Sequence, residues 1–196
     1  MSLSLTFSDL QLQAQIIGGF IMLIWGLEVL DQLLLRHRLN RFGIIPRTLN
    51  GLRGIVFAPL LHGTWKHLVA NTLPLAVLGW FTLLNGVIEF AIATAAIWLL
   101  SGLGVWLFAP SRSLHIGASG IIFGYFGFLL SRSYFEQDLL SALVSVMVAL
   151  LYGPLIWGIL PARKQGISWQ GHLFGFLGGI ATARYLPELT QWLNML

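Results

Sequence analysis

Cysteine is absent from the 196 residues. That excludes disulfides, thiolate nucleophiles, iron–sulfur clusters and cysteine-ligated zinc, and it leaves the redox compartment unwritten in the sequence. Charge is nearly as scarce: 9% of residues are Asp, Glu, Lys or Arg, against roughly a quarter in soluble domains. With so few charges the chain cannot build a phosphate-tracking stripe. The net charge of +4 and pI near 10.0 therefore suit anionic membrane lipids as partners, with no nucleic acid. The N-terminus lacks the basic start and small-residue cleavage site of a signal peptide, so targeting is expected to fall to the first apolar helix. What abounds is apolar: 57% of residues are hydrophobic and the mean hydropathy is +0.81, the composition of a chain dissolved in lipid.

Apolar stretches punctuated by Arg, Pro, Gly and Trp predict six membrane helices near 14–35, 66–84, 87–108, 114–130, 137–160 and 171–186. Connections are short from the second helix onward, which predicts a single all-α polytopic membrane domain over 1–196. The first connection, 36–65, is too long for a turn. It mixes Arg36, Arg38, Arg41, Arg47 and Arg53 with Phe42, Ile44, Ile45, Ile55, Val56 and Phe57, as suits a segment lying in the membrane interface. Trp65 and Lys66 mark the entry of the second helix. The fourth helix and the sixth, which Pro187 is expected to interrupt, fall short of the ~20 residues a hydrocarbon core requires. Such helices thin the bilayer or end in water-accessible space.

Polar groups within membrane helices are costly and mark function. They gather at three helix starts: His62, His67 and Asn71 at the second; His115, Gly117, Ser119 and Gly120 at the fourth; Gln170 and His172 at the sixth. Helices two, four and six run in the same direction, so their N-terminal ends share one membrane face. Asn71 follows His67 by one turn and lies on the same side. Gly171, Gly175 and Gly179 form a stripe on the sixth helix, and Gly120 and Gly124 form one on the fourth. Stripes of this kind let helix backbones approach closely in lipid. If the two stripes face each other, the Ser119 hydroxyl and the His172 imidazole come within reach, and a serine needs such a base to become a nucleophile. Donors for a developing oxyanion stand nearby in the backbone N–H groups at the Ser119 helix start and in the side chains of Asn71 and His67. These segments hold no carboxylate, so the reading is a Ser–His dyad.

Each feature taken singly has a plainer meaning. Ser101, Ser141 and Ser145 are expected to bond back to carbonyls of their own helices. Glycine stripes serve packing, and an interfacial His37 or His115 is expected to be solvated or lipid-facing. Gly117-Ala118-Ser119-Gly120 is not the nucleophile elbow of soluble hydrolases, because Ile121 stands in place of its second glycine.

At these residues the chain resembles the rhomboid family of intramembrane serine proteases. The family's G-x-S-G reads Gly117-Ala118-Ser119-Gly120; its second-helix pattern reads His62, His67, Asn71; its last-helix pattern reads His172, Gly175, Gly179. The resemblance implies a six-transmembrane-helix rhomboid-like bundle with a long interfacial first loop, located in a bacterial inner membrane. It implies Ser119 as nucleophile, His172 as general base, and an oxyanion hole of His67, Asn71 and the Ser119 N–H, with Gly117 and Gly120 framing the serine. His62 takes a supporting role. Substrates would be transmembrane proteins, and no cofactor or metal is called for. The chain departs from the family at Phe123, where a tyrosine often stacks on the histidine, and at Leu52-Arg53, where the family has Trp-Arg.

Nine of the eleven basic residues, among them Arg112, Arg163 and Lys164, fall on the face of the polar residues, leaving Arg132 and Arg184 for the other. The positive-inside rule would turn that face to the cytoplasm. Bacterial members of the family usually open outward, and the family topology is the expectation adopted. Three other functions compete: an inactive relative that escorts membrane helices, a haem or metal protein using His67 and His172, and a transporter. The metal reading finds no zinc-type spacing, and the transporter finds no charged pair at helix centres.

Overall fold

Threonine and aspartate side chains fix the helix starts that apolar runs only approximate. The computed structural model describes residues 6–161, 168–193 and 195. Among them are seven α-helices: α1 (Phe7–Leu30), α2 (Leu49–Phe57), α3 (Trp65–Leu83), α4 (Val87–Phe108), α5 (Ser119–Glu136), α6 (Leu139–Tyr152) and α7 (Trp169–Leu193). Thr6 and Asp9 exchange bonds in a capping box at α1, and Thr48, Thr64 and Asp138 accept backbone N–H groups at α2, α3 and α6. The described residues contain no strand; one antiparallel bridge joins Ile44 to His115.

Three stretches are long and apolar enough to cross a membrane: α1 with the π-helical turn that extends it to Leu35, α4, and α6 with the 3₁₀ turn that extends it to Ile159. The central position belongs to α5. Every residue from Ile121 to Leu129 is buried, and a helix buried all round is enclosed by its neighbours. At its far end Arg132 is buried and paired with Glu89 (3.1 Å) and Glu136, which meets the requirement that a buried charge be partnered.

The long first connection carries structure of its own. α2 lies within it, and Trp98 and Trp106 of α4 donate their indole N–H groups to the carbonyls of Ile55 and Thr48. Arg47 reaches the Leu107 carbonyl and the Ser111 hydroxyl at 2.7 and 2.6 Å, closing the C-terminus of α4. Arg53 works within the connection: it donates to the Arg41 carbonyl at 3.4 Å and its guanidinium lies over the Phe42 ring, 4.7 Å from the centroid.

Four expectations need correction. α1 starts at Phe7, not near 14, because the capping box nucleates it earlier. α5 starts at Ser119, not near 114: His115 is held extended by the Ile44 bridge, and Gly117 has φ +117°, outside the helical basin. α7 runs through Pro187 to Leu193, since a proline costs one backbone bond and a ring clash without having to end a helix that packing supports. The three serines do not bond one turn back along their own helices. Ser101 donates to the Gly171 carbonyl of α7, Ser145 to the Leu129 carbonyl of α5, and Ser141 to Glu136. The basic pair Arg163-Lys164 lies outside the described residues.

Candidate active site

The α7 glycines press on the backbone of α5 at Gly120 and Gly124, while the open faces of those two glycines are taken by Ser101 and Ile97 of α4. A Cβ on Gly175 would collide with the Gly120 carbonyl oxygen, and one on Gly179 with that of Gly124. α5 and α7 therefore meet backbone to backbone over two turns, and no side chain larger than hydrogen fits at the crossings. This seam carries Ser119 at the first helical position of α5 and His172 in the first turn of α7.

Phe123, one turn beyond Ser119 on the same face of α5, stacks on the His172 ring with centroids 4.0 Å apart and planes 3° from parallel. On its other edge the imidazole is held by Nδ1, 3.0 Å from the Gly158 carbonyl. A carbonyl only accepts, so Nδ1 carries the proton and the neutral ring keeps its lone pair on Nε2, the form a general base requires. Ser119 Oγ makes no hydrogen bond to His172 or to any other described side chain. The stack and the seam bring the two residues onto facing helix surfaces, and the hydroxyl is left unengaged. Hydrogen bonds of this kind are often long in unliganded sites and tighten when substrate binds.

The second helix of the sequence pattern, α3, closes the site from the side. A Cβ on Gly117 would run into the His67 ring, with Asn71 Nδ2 just beyond it. Glycine is required there twice over, by that contact and by its positive φ. His67 and Asn71 thus converge on the loop that immediately precedes Ser119. Asn71 Nδ2 donates one proton to His62 Nε2 at 3.0 Å and retains a second for another acceptor. His62 is wholly buried and packs edge-on against His67, ring centroids 5.0 Å apart. Its Nε2 accepts, so the ring is neutral with the proton on Nδ1, and that atom is buried without a partner among the described residues. Burial, with His67 adding a smaller repulsion, pushes the His62 pKa down to about 3.

α5 begins without a side-chain cap. The Gly117 N–H is committed to the Ala58 carbonyl at 2.8 Å, while the amides of Ser119 and Gly120 stand in the orphan positions of the first turn, at the positive end of the helix. Ser119 and Gly120 line a hollow of about 30 Å³ closed by Ser101, His115 and Gly171, room for a water molecule. A second hollow of about 540 Å³, lined by His67, Ser113, His115, Ser168, Trp169 and Gln170, adjoins it. Among the described residues no group of three or more His, Asp or Glu is disposed to hold a metal ion.

Sequence reasoning missed three residues here. His115 is half-buried and hydrogen-bonded, not solvated or lipid-facing. Ser168 caps the start of α7, and the Gly158 carbonyl holds the His172 imidazole. Glycine at 158 is itself a signal in hindsight, because a Cβ there would collide with the Phe123 ring.

A family model described as the Rhomboid domain matches residues 50–188. An uncharacterized protein of Mycobacterium tuberculosis is 43% identical over 187 residues, covering 88% of this chain and 78% of its own length. A putative rhomboid protease of Bacillus subtilis is 28% identical over 121 residues, 61% of this chain and 60% of its own. The rhomboid-type serine protease 2 of Yarrowia lipolytica is 29% identical over 150 residues, 71% of this chain and 49% of its own.

Proposed function

The chain belongs to the rhomboid family, and on that premise we propose that it is an intramembrane serine endopeptidase cleaving other membrane proteins in or near their spanning segments. It is an integral membrane protein. In the proposed arrangement α1, α3, α4, α5, α6 and α7 are the six spans of one domain covering 1–196, α2 lies in the interface, and the site faces outward across a bacterial inner membrane.

In this mechanism the Ser119 oxygen attacks the scissile carbonyl carbon as His172 Nε2 takes the hydroxyl proton. The carbonyl π pair moves onto oxygen, and the oxyanion is met by the Ser119 N–H, the free Asn71 Nδ2 proton and His67. Collapse expels the amine, which receives the proton from Nε2. The acyl-serine ester is then hydrolysed by a water activated through the same base, which returns the proton to Ser119. His62 acts behind Asn71 by fixing its amide, and Phe123 and Gly158 hold the base. A peptide bond inside an intact helix is shielded, so substrates with helix-weakening small residues are favoured.

One observation carries the reading: three helix starts bearing His67 with Asn71, Ser119, and His172 converge at one end of the bundle, and the imidazole proton is already committed to Gly158. A fluorophosphonate probe tests it, because only an activated serine is labelled. Wild type is expected to label and to cleave a tagged membrane-span substrate in detergent, and Ser119→Ala to do neither. Equal cleavage by the two would remove Ser119 as nucleophile; an unlabelled, inactive wild type would favour an escort role.

A further inference from the structure

The loop between α4 and α5 contains a histidine used at every polar atom. The backbone of His115 exchanges both of its bonds with Ile44 of the interfacial connection, at 2.9 and 3.0 Å. Its Nε2 lies 2.7 Å from Ser113 Oγ and its Nδ1 lies 2.7 Å from Ser168 Oγ.

The neighbours fix where the protons are. Ser113 donates its hydroxyl proton to the Pro110 carbonyl at 2.5 Å, so toward His115 it accepts, and Nε2 carries the ring proton. Nδ1 of the neutral ring is then an acceptor, and the Ser168 hydroxyl donates to it. The same Ser168 oxygen accepts the Gly171 N–H at 3.3 Å, and the Ser168 carbonyl accepts the His172 N–H at 3.2 Å. One proton arrangement satisfies all these bonds. It runs from the interfacial connection through His115 and Ser168 into the backbone of His172.

We infer that His115 is a positioning residue for the catalytic base: acting through Ser168, it sets the first turn of α7 and with it the height of His172 against Ser119. The inference rests on the Ser119–His172 reading. Chemistry at the seam is sensitive to placement, since a shift of ~1 Å in a reacting group costs on the order of a hundred-fold in rate. The glycine seam fixes the separation of α5 and α7 further along, and the first turn of α7 is set by its own bonds, from Ser101 to the Gly171 carbonyl and from Gly171 to Ser168. The cap on that turn is Ser168, and His115 is what holds the Ser168 hydroxyl in the orientation that leaves its lone pair for Gly171.

The test uses the full chain in detergent and two readouts: the rate at which a fluorophosphonate labels Ser119, and kcat and KM on a tagged membrane-span substrate. His115→Ala and Ser168→Ala are each expected to slow labelling and kcat by ~10-fold or more while KM changes by less than about 3-fold. The double variant should be no slower than the slower single, because both remove one linkage. Two conservative variants separate positioning from bulk. In His115→Asn the amide oxygen falls where Nδ1 was and accepts from Ser168, so the rate returns; in His115→Gln the amide reaches Ser113 instead, and the rate stays low. Equal rates for wild type and His115→Ala, equal rescue by Asn and Gln, or additive losses in the double variant would each overturn the inference while leaving the protease reading intact. Failure of the wild type to label would overturn that reading and this inference with it.

Discussion

Where α5 meets α7, the carbonyls of Gly120 and Gly124 occupy the places that side chains at 175 and 179 would need. Where α5 meets α6, the contact is made by side chains: Ser145 donates to the Leu129 carbonyl at 2.6 Å, Val144 and Val148 are buried, and Leu139, Leu143, Val146, Leu150 and Leu151 face outward. The first flank is a backbone joint with no freedom in spacing, and the second is a layer of apolar chains able to repack. In lipid the distinction matters, because helix association is driven by close packing and interhelical bonds and not by hydrophobic burial between helices. The groups proposed to carry the chemistry stand on the rigid flank. A serine and a histidine that must share a proton need a fixed separation; a helix that borders lipid does not.

The sharpest way to probe this contrast is to remove the chemistry and keep the joint. His172→Ala deletes the proposed base at a position where Ala adds no bulk, and cleavage is expected to fall by ~10³-fold or more. The thermal midpoint should move by only a few degrees, reflecting the lost stack on Phe123 and the bond to Gly158. A fall in activity of only a few-fold would detach the seam from the chemistry.

The next experiment breaks the joint. In Gly179→Ala the new methyl has no room against the Gly124 carbonyl, so the helices must separate, at a cost of about 3 kcal/mol, and activity should fall together with stability. On the other flank Leu150→Ala, at a residue 79% exposed, should change stability by less than about 0.5 kcal/mol in detergent. Equal tolerance at the two positions, measured by unfolding midpoints, would erase the difference between the flanks.

Acid sharpens the comparison at the third wall of the site, in the residues that lead into α3. His62 is neutral in the fold, with its pKa down at about 3 against 6.5 for the free side chain. The unfolded chain therefore binds one more proton between those values, and stability drops as pH falls through 6.5 and continues dropping toward 3. Between pH 7 and pH 5 the share of the loss due to His62 is about 2 kcal/mol, and the total loss should shrink by that amount in His62→Gln, which keeps an amide toward Asn71 and does not titrate, leaving the share of other buried imidazoles such as His115. A pH-independent midpoint in the wild type would show that the His62 ring is not held neutral.

The glycine joint was legible because a four-residue spacing survives in the letters: Gly175 and Gly179 repeat on one face, and so do Gly120 and Gly124. The common direction of the three polar helices followed from counting, and the three starts do converge. The start of α5 was not legible. Leu114 to Ala118, apolar but for His115, read as helix, and only the Ile44 bridge and the positive φ of Gly117 hold them out of it. Ser101 and Ser145 read as residues bonding within their own helices, because a partner on another helix leaves no trace in local spacing. His115 has the same problem: beside its local partner Ser113, it is held by Ile44 and by Ser168, the latter 53 residues away. α5 carries more polar residues than α4 or α6 for a related reason. Buried from Ile121 to Leu129 among other helices, it is not held to the apolarity that α4 and α6 show.

The smallest effect tests whether the adaptable flank depends on a bond or on a surface. Ser145→Ala removes the hydroxyl that reaches the Leu129 carbonyl from α6. That carbonyl lies within α5, where its helical partner remains, so no acceptor is left orphaned and the cost is about 1 kcal/mol or less. Val144 and Val148 remain to pack against α5, and cleavage should stay within about 2-fold of wild type. A loss as large as that of Gly179→Ala, read from unfolding midpoints in the same detergent, would mean that α6 is held as strictly as α7. The two flanks of α5 would then differ in chemistry but not in rigidity.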